Sequence, residues 1–228
     1  MPTIVIPWRA QPSRLVALEA VTGWYRENLP AAEIVLVDSD EPVFNLSRAR
    51  NLGISAVADP DEVVIINDAD TLPQVDALAD AVTGAPASGR VHLPYTAYHW
   101  LGADGTAQYA AGTPLEQCAH ELVVGACSGI YVTTRRTWES HGGQDERFRG
   151  WGFEDAAWYL AHETLLAEPP RRSEGMVFAL HHVAQPRAGA QYEANAALME
   201  QYRAAAGDPD AMRQLVESAS KARALPGS

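Results

Sequence analysis

Four β-branched residues in succession, Val63-Val64-Ile65-Ile66, do most to limit what this chain can fold into. A run that is apolar at every position, rather than at alternate ones, describes a strand buried on both faces. Such strands belong to parallel sheets covered by helices on each side. Polarity returns at Asn67, and Asp68-Ala69-Asp70-Thr71-Leu72-Pro73 follows, with Pro73 opposing simple continuation of the strand. Ligands of open α/β sheets sit just beyond the carboxyl ends of the strands, which is where Asp68 and Asp70 fall. Residues two apart in an extended segment point the same way, so both carboxylates are expected to face one ion or one substrate. The same Asn and Asp content also describes a plain turn, and the stretch alone supports the two readings equally.

The segments before it build toward the same architecture. Thr3–Pro7 reads as a first strand, ending in Pro7-Trp8-Arg9. A helix follows, N-capped by Ser13 and carrying Leu15, Leu18, Val21 and Tyr25 on one face, until Leu29-Pro30 stops it. Glu33–Val37 is the second strand, closing on Asp38-Ser39-Asp40, and a second helix spans Ser47 to about Val57. Strand, helix, strand, helix, strand within the first seventy residues predicts an α/β, Rossmann-like domain with a central, mostly parallel sheet flanked by helices. No Gly-x-Gly-x-x-Gly follows the first strand, so dinucleotide binding of the usual kind is not supported.

Beyond the Asp pair the pattern loosens. Gln74 to Val82 reads as a helix and Val91 to Pro94 as a strand, whereas Tyr95 to Thr113 has no clear period and is expected to be a hairpin excursion or a mobile loop. Gly129 to Thr133 is a further strand, and a short helix from Arg135 to His141 ends at Gly142-Gly143. The helix beginning at Phe153 carries Glu154 and Asp155 in its first turn and Trp158, Leu160 and Leu165 toward the core. Acids in a first turn complement the helix dipole whatever else they do. A late strand, Gly175 to Leu180, delivers His181-His182, only one of which is expected to reach the side of the Asp pair. Ala190 to Ala206 is helical, Gly207-Asp208-Pro209 breaks it, and residues 207–228 form a short amphipathic helical tail with a frayed end, outside a domain spanning 1–206.

Charge excludes some functions. Seventeen Lys+Arg against 29 Asp+Glu give a formal net charge of −12, the wrong sign for a grip on nucleic acid or anionic membrane. Cys118 and Cys127 are too few for a disulfide scaffold. The N-terminus lacks the basic start and apolar run of a signal peptide, and no segment has the length of a membrane span, so the expected location is the cytoplasm.

Three further stretches carry a resemblance. Phe44-Asn45 leads to Asn51-Leu52-Gly53, Asp68-Ala69-Asp70 precedes Pro73, and Gly142-Gly143-Gln144-Asp145-Glu146-Arg147-Phe148-Arg149-Gly150-Trp151-Gly152-Phe153-Glu154-Asp155 follows. In this order and spacing they resemble GT-A-fold glycosyltransferases, in particular the β-1,4-galactosyltransferase-like group and related bacterial and phage enzymes, over most of residues 3 to 206. The resemblance implies transfer of a sugar from a nucleotide-sugar donor, with a UDP-sugar expected, to a glycan, protein or small-molecule acceptor hydroxyl, with inversion. It implies Mn²⁺ or Mg²⁺ held by Asp70 and His182, with His181 as the alternative, to stabilise the leaving diphosphate. Pro7, Arg9, Asp38, Asp68 and Asp70 are then donor-contacting residues. Phosphate contact passes to Arg48, because Leu46 stands where the family often has arginine. Trp151, Gly152 and Glu154 would form the acceptor site, and Asp155 would deprotonate the acceptor hydroxyl, with Glu154 positioning the substrate. Ala156 and Ala157 replace acids that can follow the Glu-Asp pair, which leaves the galactosyltransferases' acceptor choice unsupported.

Two other readings use the same features. A sugar nucleotidyltransferase shares the general architecture but relies on a Gly-rich phosphate loop near the N-terminus, and Pro7-Trp8-Arg9-Ala10 is not one. A sugar-binding module without turnover would have no need for Asp68, Asp70, Glu154, Asp155 and a histidine together.

Overall fold

The computed structural model describes residues 1–183 and 188–224. Its elements run β1 (Thr3–Pro7), α1 (Leu15–Asn28), β2 (Glu33–Val37), α2 (Leu46–Ser55), β3 (Val63–Asn67), β4 (Thr71–Pro73), α3 (Val75–Ser88), β5 (His92–Leu93) and β6 (Ala97–Trp100). Then come α4 (Gly102–Ala110), β7 (Glu121–Leu122), β8 (Ile130–Thr134), α5 (Arg135–Ser140), α6 (Glu154–Leu166), β9 (Arg171–Arg172), β10 (Met176–Ala179), α7 (Ala190–Ala205) and α8 (Pro209–Ala224).

The main sheet has the order β2-β1-β3-β8-β5-β9. The contacts β1–β2, β1–β3 and β5–β9 are parallel, while β8 runs against both β3 and β5. The order 2-1-3 at one end is that of a Rossmann-like half, its helices supplying the crossovers that parallel neighbours require. Ile4, Val5, Ile6, Val64, Ile65 and Ile66 are all fully buried, each side chain worth about 1.5–3 kcal/mol once removed from water. Helix α2 lies hard against β1: a Cβ on Gly53 would sit 2.2 Å from Val5 Cγ1, so only glycine allows that approach.

A second sheet, β4-β10-β6-β7, begins just beyond the carboxyl end of β3. It is seeded by the turn at Asp68-Ala69-Asp70, where Thr71 N donates to Asp68 O at 3.2 Å. Of the two readings of this stretch the turn is the one observed, and Asp68 and Asp70 take different partners, Arg50 and His182. Strand β4 pairs antiparallel with β10, Thr71 opposite Ala179, and Leu180 N donates to Asp70 O at 2.8 Å. This register carries the end of β10, and His182 with it, alongside Asp70.

Other expectations also change. Ser13 is not a helix cap: Pro12–Arg14 forms a 3-10 turn leading directly into α1, without a side-chain cap. Leu15 is 47% exposed and Leu18 only partly buried, so Val21 and Tyr25 hold the core face of α1, joined by Ala17 and Thr22. Tyr95 to Thr113 is no irregular loop but contains β6 and α4. It lacks a clear period because β6 is a short strand whose partners lie at 121–122 and 176–179. Helix α8 packs on α6 and α7 through Met212, which is fully buried with Phe148, Met199 and Tyr202. Residues 225–228 of the expected tail lie outside the described residues. Among the described residues no helix is long and apolar enough to cross a membrane.

Candidate active site

Helix α2 presents Ser47, Arg50, Asn51 and Ile54 at i, i+3, i+4 and i+7, and all four are buried. A guanidinium on such a face needs partners, and Arg50 has several. Its Nη2 donates to Asp68 Oδ1 at 2.6 Å. Its Nη1 donates to Asp155 Oδ1 at 2.6 Å and to Gln144 Oε1 at 3.0 Å. Arg50 thus joins the acid after β3 to the acid that opens α6. Its side chain has no exposed surface, against 23% and 20% for the two acids. Burial opposes the charge on Arg50, but Asp68, Tyr131 and Asp155 hold its pKa well above the usual guanidinium range.

Asp155 Oδ1 also accepts from Gln144 Nε2 at 3.1 Å and from the Tyr131 hydroxyl. All these bonds converge on Oδ1, and among the described residues none reaches Oδ2. The Asp68 carboxyl is pushed up to about 6 by burial, against the pull of Arg50 and with Asp70 adding to the rise. Glu154 is pushed up to about 7 by burial and then by Asp155, and its Oε2 accepts from Gly152 N at 3.1 Å. Phe153, just before this pair, has φ 75°. For a bulky residue that conformation costs on the order of 1–3 kcal/mol, and such strain collects at functional sites.

The two longer sequence motifs hold each other. Asn51 Nδ2 donates to Gln144 O at 2.7 Å and Glu146 Oε1 at 2.9 Å, while its Oδ1 accepts from Trp138 Nε1 at 2.9 Å and Gln144 N at 3.1 Å. Gly143, at φ 68°, is required here because a Cβ would lie 2.6 Å from both Asn51 Oδ1 and Trp138 Nε1. Asn45 caps α2 by accepting from Arg48 N and donates to Glu146 O at 2.8 Å. Arg48 itself is held by Ser39 O at 2.9 Å and Glu146 Oε2 at 3.1 Å.

At the ends of β1 and β2, beyond Pro7, Arg9 and Asp38 meet each other. Arg9 Nε lies 2.9 Å from Asp38 Oδ2 and Nη2 2.5 Å from Oδ1, with Phe44 under the guanidinium at 5.5 Å. That contact holds the Asp38 carboxyl down at about 2.

Asp70, two residues after Asp68, has a different partner. Its Oδ2 is 2.7 Å from His182 Nδ1, yet Nδ1 is buried without a bond of acceptable angle. Arg14 Nη2 lies 2.7 Å from His182 Nε2. A guanidinium only donates, so Nε2 must be the accepting nitrogen. A cation on Nδ1 requires the opposite tautomer, with the proton on Nε2, so Arg14 in this position and a bound metal exclude one another. Among the described residues no three His, Cys, Asp or Glu side chains cluster as a metal cage. The donor set is one carboxylate oxygen and one imidazole nitrogen, converging without a hydrogen bond. This fits an oxygen-preferring cation such as Mn²⁺ that also accepts an imidazole, with its remaining ligands to be supplied from outside the protein. The His181 ring instead faces Trp100, with centroids 6.2 Å apart, and its backbone N–H donates to Thr106 Oγ1 at 2.8 Å.

Trp151 is 38% exposed and stacks on Tyr192, with ring centroids 6.3 Å apart and planes at 11°. The loop around it is latched by Asn195 of α7, which accepts from Arg149 N at 3.2 Å and donates to Arg149 O at 2.8 Å and Gly152 O at 3.3 Å. Sequence reading missed Arg50, Arg14, Gln144, Tyr131 and Asn195. For Arg50 a signal existed, namely a cation on the buried stripe of α2. The others become partners only through contacts between residues far apart in the chain.

A mostly parallel sheet with one antiparallel strand, joined to a second, smaller sheet at the acid-rich carboxyl end of β3, defines the GT-A, Rossmann-like fold. Solved structures agree. Drosophila β1,4-galactosyltransferase 7, solved as a mutant with manganese, UDP-Gal and xylobiose, is similar with TM-score 0.57 and 17% identity over 85% of this chain and 78% of that one. Its catalytic domain with xylobiose gives 0.58 and 17% over 86% and 79%. GalNAc-T7 with UDP, GalNAc and Mn²⁺ gives 0.64 and 13%, covering 96% of this chain and 55% of that one. No protein-family model and no curated protein matches the chain.

Proposed function

We propose that this protein is a metal-dependent glycosyltransferase that moves a sugar from a nucleotide-sugar donor, a UDP-sugar by analogy with the similar structures, to an acceptor hydroxyl. One observation carries the reading: the fully buried Arg50 ties Asp68, on the donor side, to Asp155, on the acceptor side. A turn or a helix start needs no such bridge. The solved neighbours hold UDP or UDP-Gal with manganese, which supports the donor class.

In this reading the nucleotide lies over the carboxyl ends of β1, β2 and β3, within reach of Arg9, Asp38 and Arg48, as ligands of open sheets do. Asp70 and His182 would hold Mn²⁺ or Mg²⁺, whose contribution when bound is Lewis-acid stabilisation of the diphosphate. Arg14, displaced from His182, becomes a second cation for the same phosphates. Asp155 keeps Oδ1 fixed by Arg50, Tyr131 and Gln144 and turns Oδ2 to the acceptor hydroxyl, whose proton it takes in a single inverting displacement. Glu154, with Trp151 and Gly152, positions the acceptor.

A nucleotide-sugar panel tests this by thermal stabilisation and donor hydrolysis, with and without manganese. At least one donor should stabilise the parent only with metal, and Asp70→Ala and His182→Ala should remove that response. Equal stabilisation of parent and both variants would refute the metal assignment. The absence of any response to the panel would refute the transferase reading.

A further inference from the structure

Asp155 opens onto a cleft of about 290 Å³ lined by Val123, Val124, Ala126, Trp151, Phe153 and Tyr192, among others. Of the residues lining it, Asp155 alone is an acid, and none is Arg, Lys or His. Its two walls are built rather than loose. On one, Val123 N donates to Tyr98 O at 2.8 Å, Arg172 Nη2 to Ala126 O at 2.6 Å and the Tyr95 hydroxyl to Ser128 O at 2.7 Å. On the other, Tyr192 stacks on Trp151 and lies 5.1 Å from Phe153, while Asn195 latches the backbone between them.

These anchored walls nevertheless expose apolar side chains. Val124 is 87% exposed and Val123 is 41% exposed, and Leu122, the residue before them in the chain, is 60% exposed. A soluble surface rarely gathers such residues without a ligand for them. A charged acceptor, such as a sugar phosphate or an acidic glycan, would find no cation among the lining residues, because Arg172 and Arg50 behind the walls are engaged by Ala126 O and by Asp68 and Asp155, and would meet the Asp155 carboxylate. A free sugar would leave the valine wall in water. Resting on the transferase reading above, we infer that the acceptor is an uncharged glycoside whose hydroxyl reaches Asp155 and whose apolar aglycone lies along Val123, Val124 and Trp151.

Calorimetry with paired octyl and methyl β-glycosides of glucose, galactose, xylose and mannose tests this, below micellar concentrations and with UDP and manganese present. At least one octyl glycoside should bind ten-fold or more tightly than its methyl partner, the effect of burying about two methylene groups. The double variant Val123→Asn/Val124→Asn should narrow that ratio below three-fold without changing the thermal response to UDP and manganese. Octyl and methyl partners binding alike across the panel would overturn the inference. So would a preference that survives in the double variant, or self-association of the parent that the double variant abolishes without any octyl preference. Failure of the transferase reading is seen separately, as a parent without any response to UDP-sugar and metal.

Discussion

Replacing Arg50 with methionine keeps most of the side-chain volume and removes the charge, leaving Asp68 and Asp155 facing each other across a buried gap. Arg50 has no exposed surface and holds one oxygen of each acid at 2.6 Å. Breaking a buried ion pair by deleting one partner costs about 3–5 kcal/mol. The two acids share one cation, so that range applies to the triad and is not doubled. The sign of the pH dependence follows from Asp68, already pushed up to about 6 by burial with Arg50 pulling it down. Without Arg50 its folded pKa rises further. A carboxyl whose folded pKa is raised above its unfolded value gives stability that is present below the unfolded pKa and lost as pH rises through the folded one. The variant should therefore lose most relative to the parent near pH 8 and less near pH 5, where Asp68 takes up its proton. Urea unfolding of Arg50→Met and parent at both pH values measures this. A loss under about 1 kcal/mol, or one that is the same at pH 5 and pH 8, would refute the idea that Arg50 bridges two charged acids. Arg50→Lys keeps the charge but cannot reach Asp68, Asp155 and Gln144 from one planar fork, and should fall between the two.

Asp155→Asn retains an oxygen to accept from Arg50, Tyr131 and Gln144, so it should fold and bind donor, while turnover drops by roughly two to four orders of magnitude; single-turnover kinetics with a competent acceptor would expose a smaller loss. Product configuration offers an independent check, since retention at the anomeric centre would rule out a single displacement driven by Asp155. Arg14→Ala removes the cation that competes for His182 and should bind manganese alone several-fold more tightly, yet bind UDP with manganese less tightly; titration calorimetry of the two ligands would reveal unchanged affinities if Arg14 plays neither part.

The run at Val63–Ile66, the polar break at Asn67 and the strand–helix alternation before them were legible because they depend on local rules. A strand buried on both faces must be apolar throughout, and an acid-rich break at its carboxyl end falls where open sheets bind ligands. For the same reason the apolar period marked α2, β2, β10 and α7 to within a residue or two. Where neighbours outweighed local preference, sequence reading failed. Nothing in Tyr95 to Thr113 indicates that β6 will pair with residues 121–122 and 176–179, since a three- or four-residue strand is stabilised by its partners rather than by its own pattern. Asp68 and Asp70 were visible as candidates, but their different partners, Arg50 and His182, were not, because the partners are brought to them by other elements. The joining of Asp68 to Asp155 through Arg50 was decided only in three dimensions. Arg50, Asp68, Gln144 and Asp155 span more than a hundred residues of chain, and no periodicity connects them. What assembles them is the cost of burying a guanidinium without partners, a constraint that arises only once α2 has packed on the sheet and the start of α6 has closed over it.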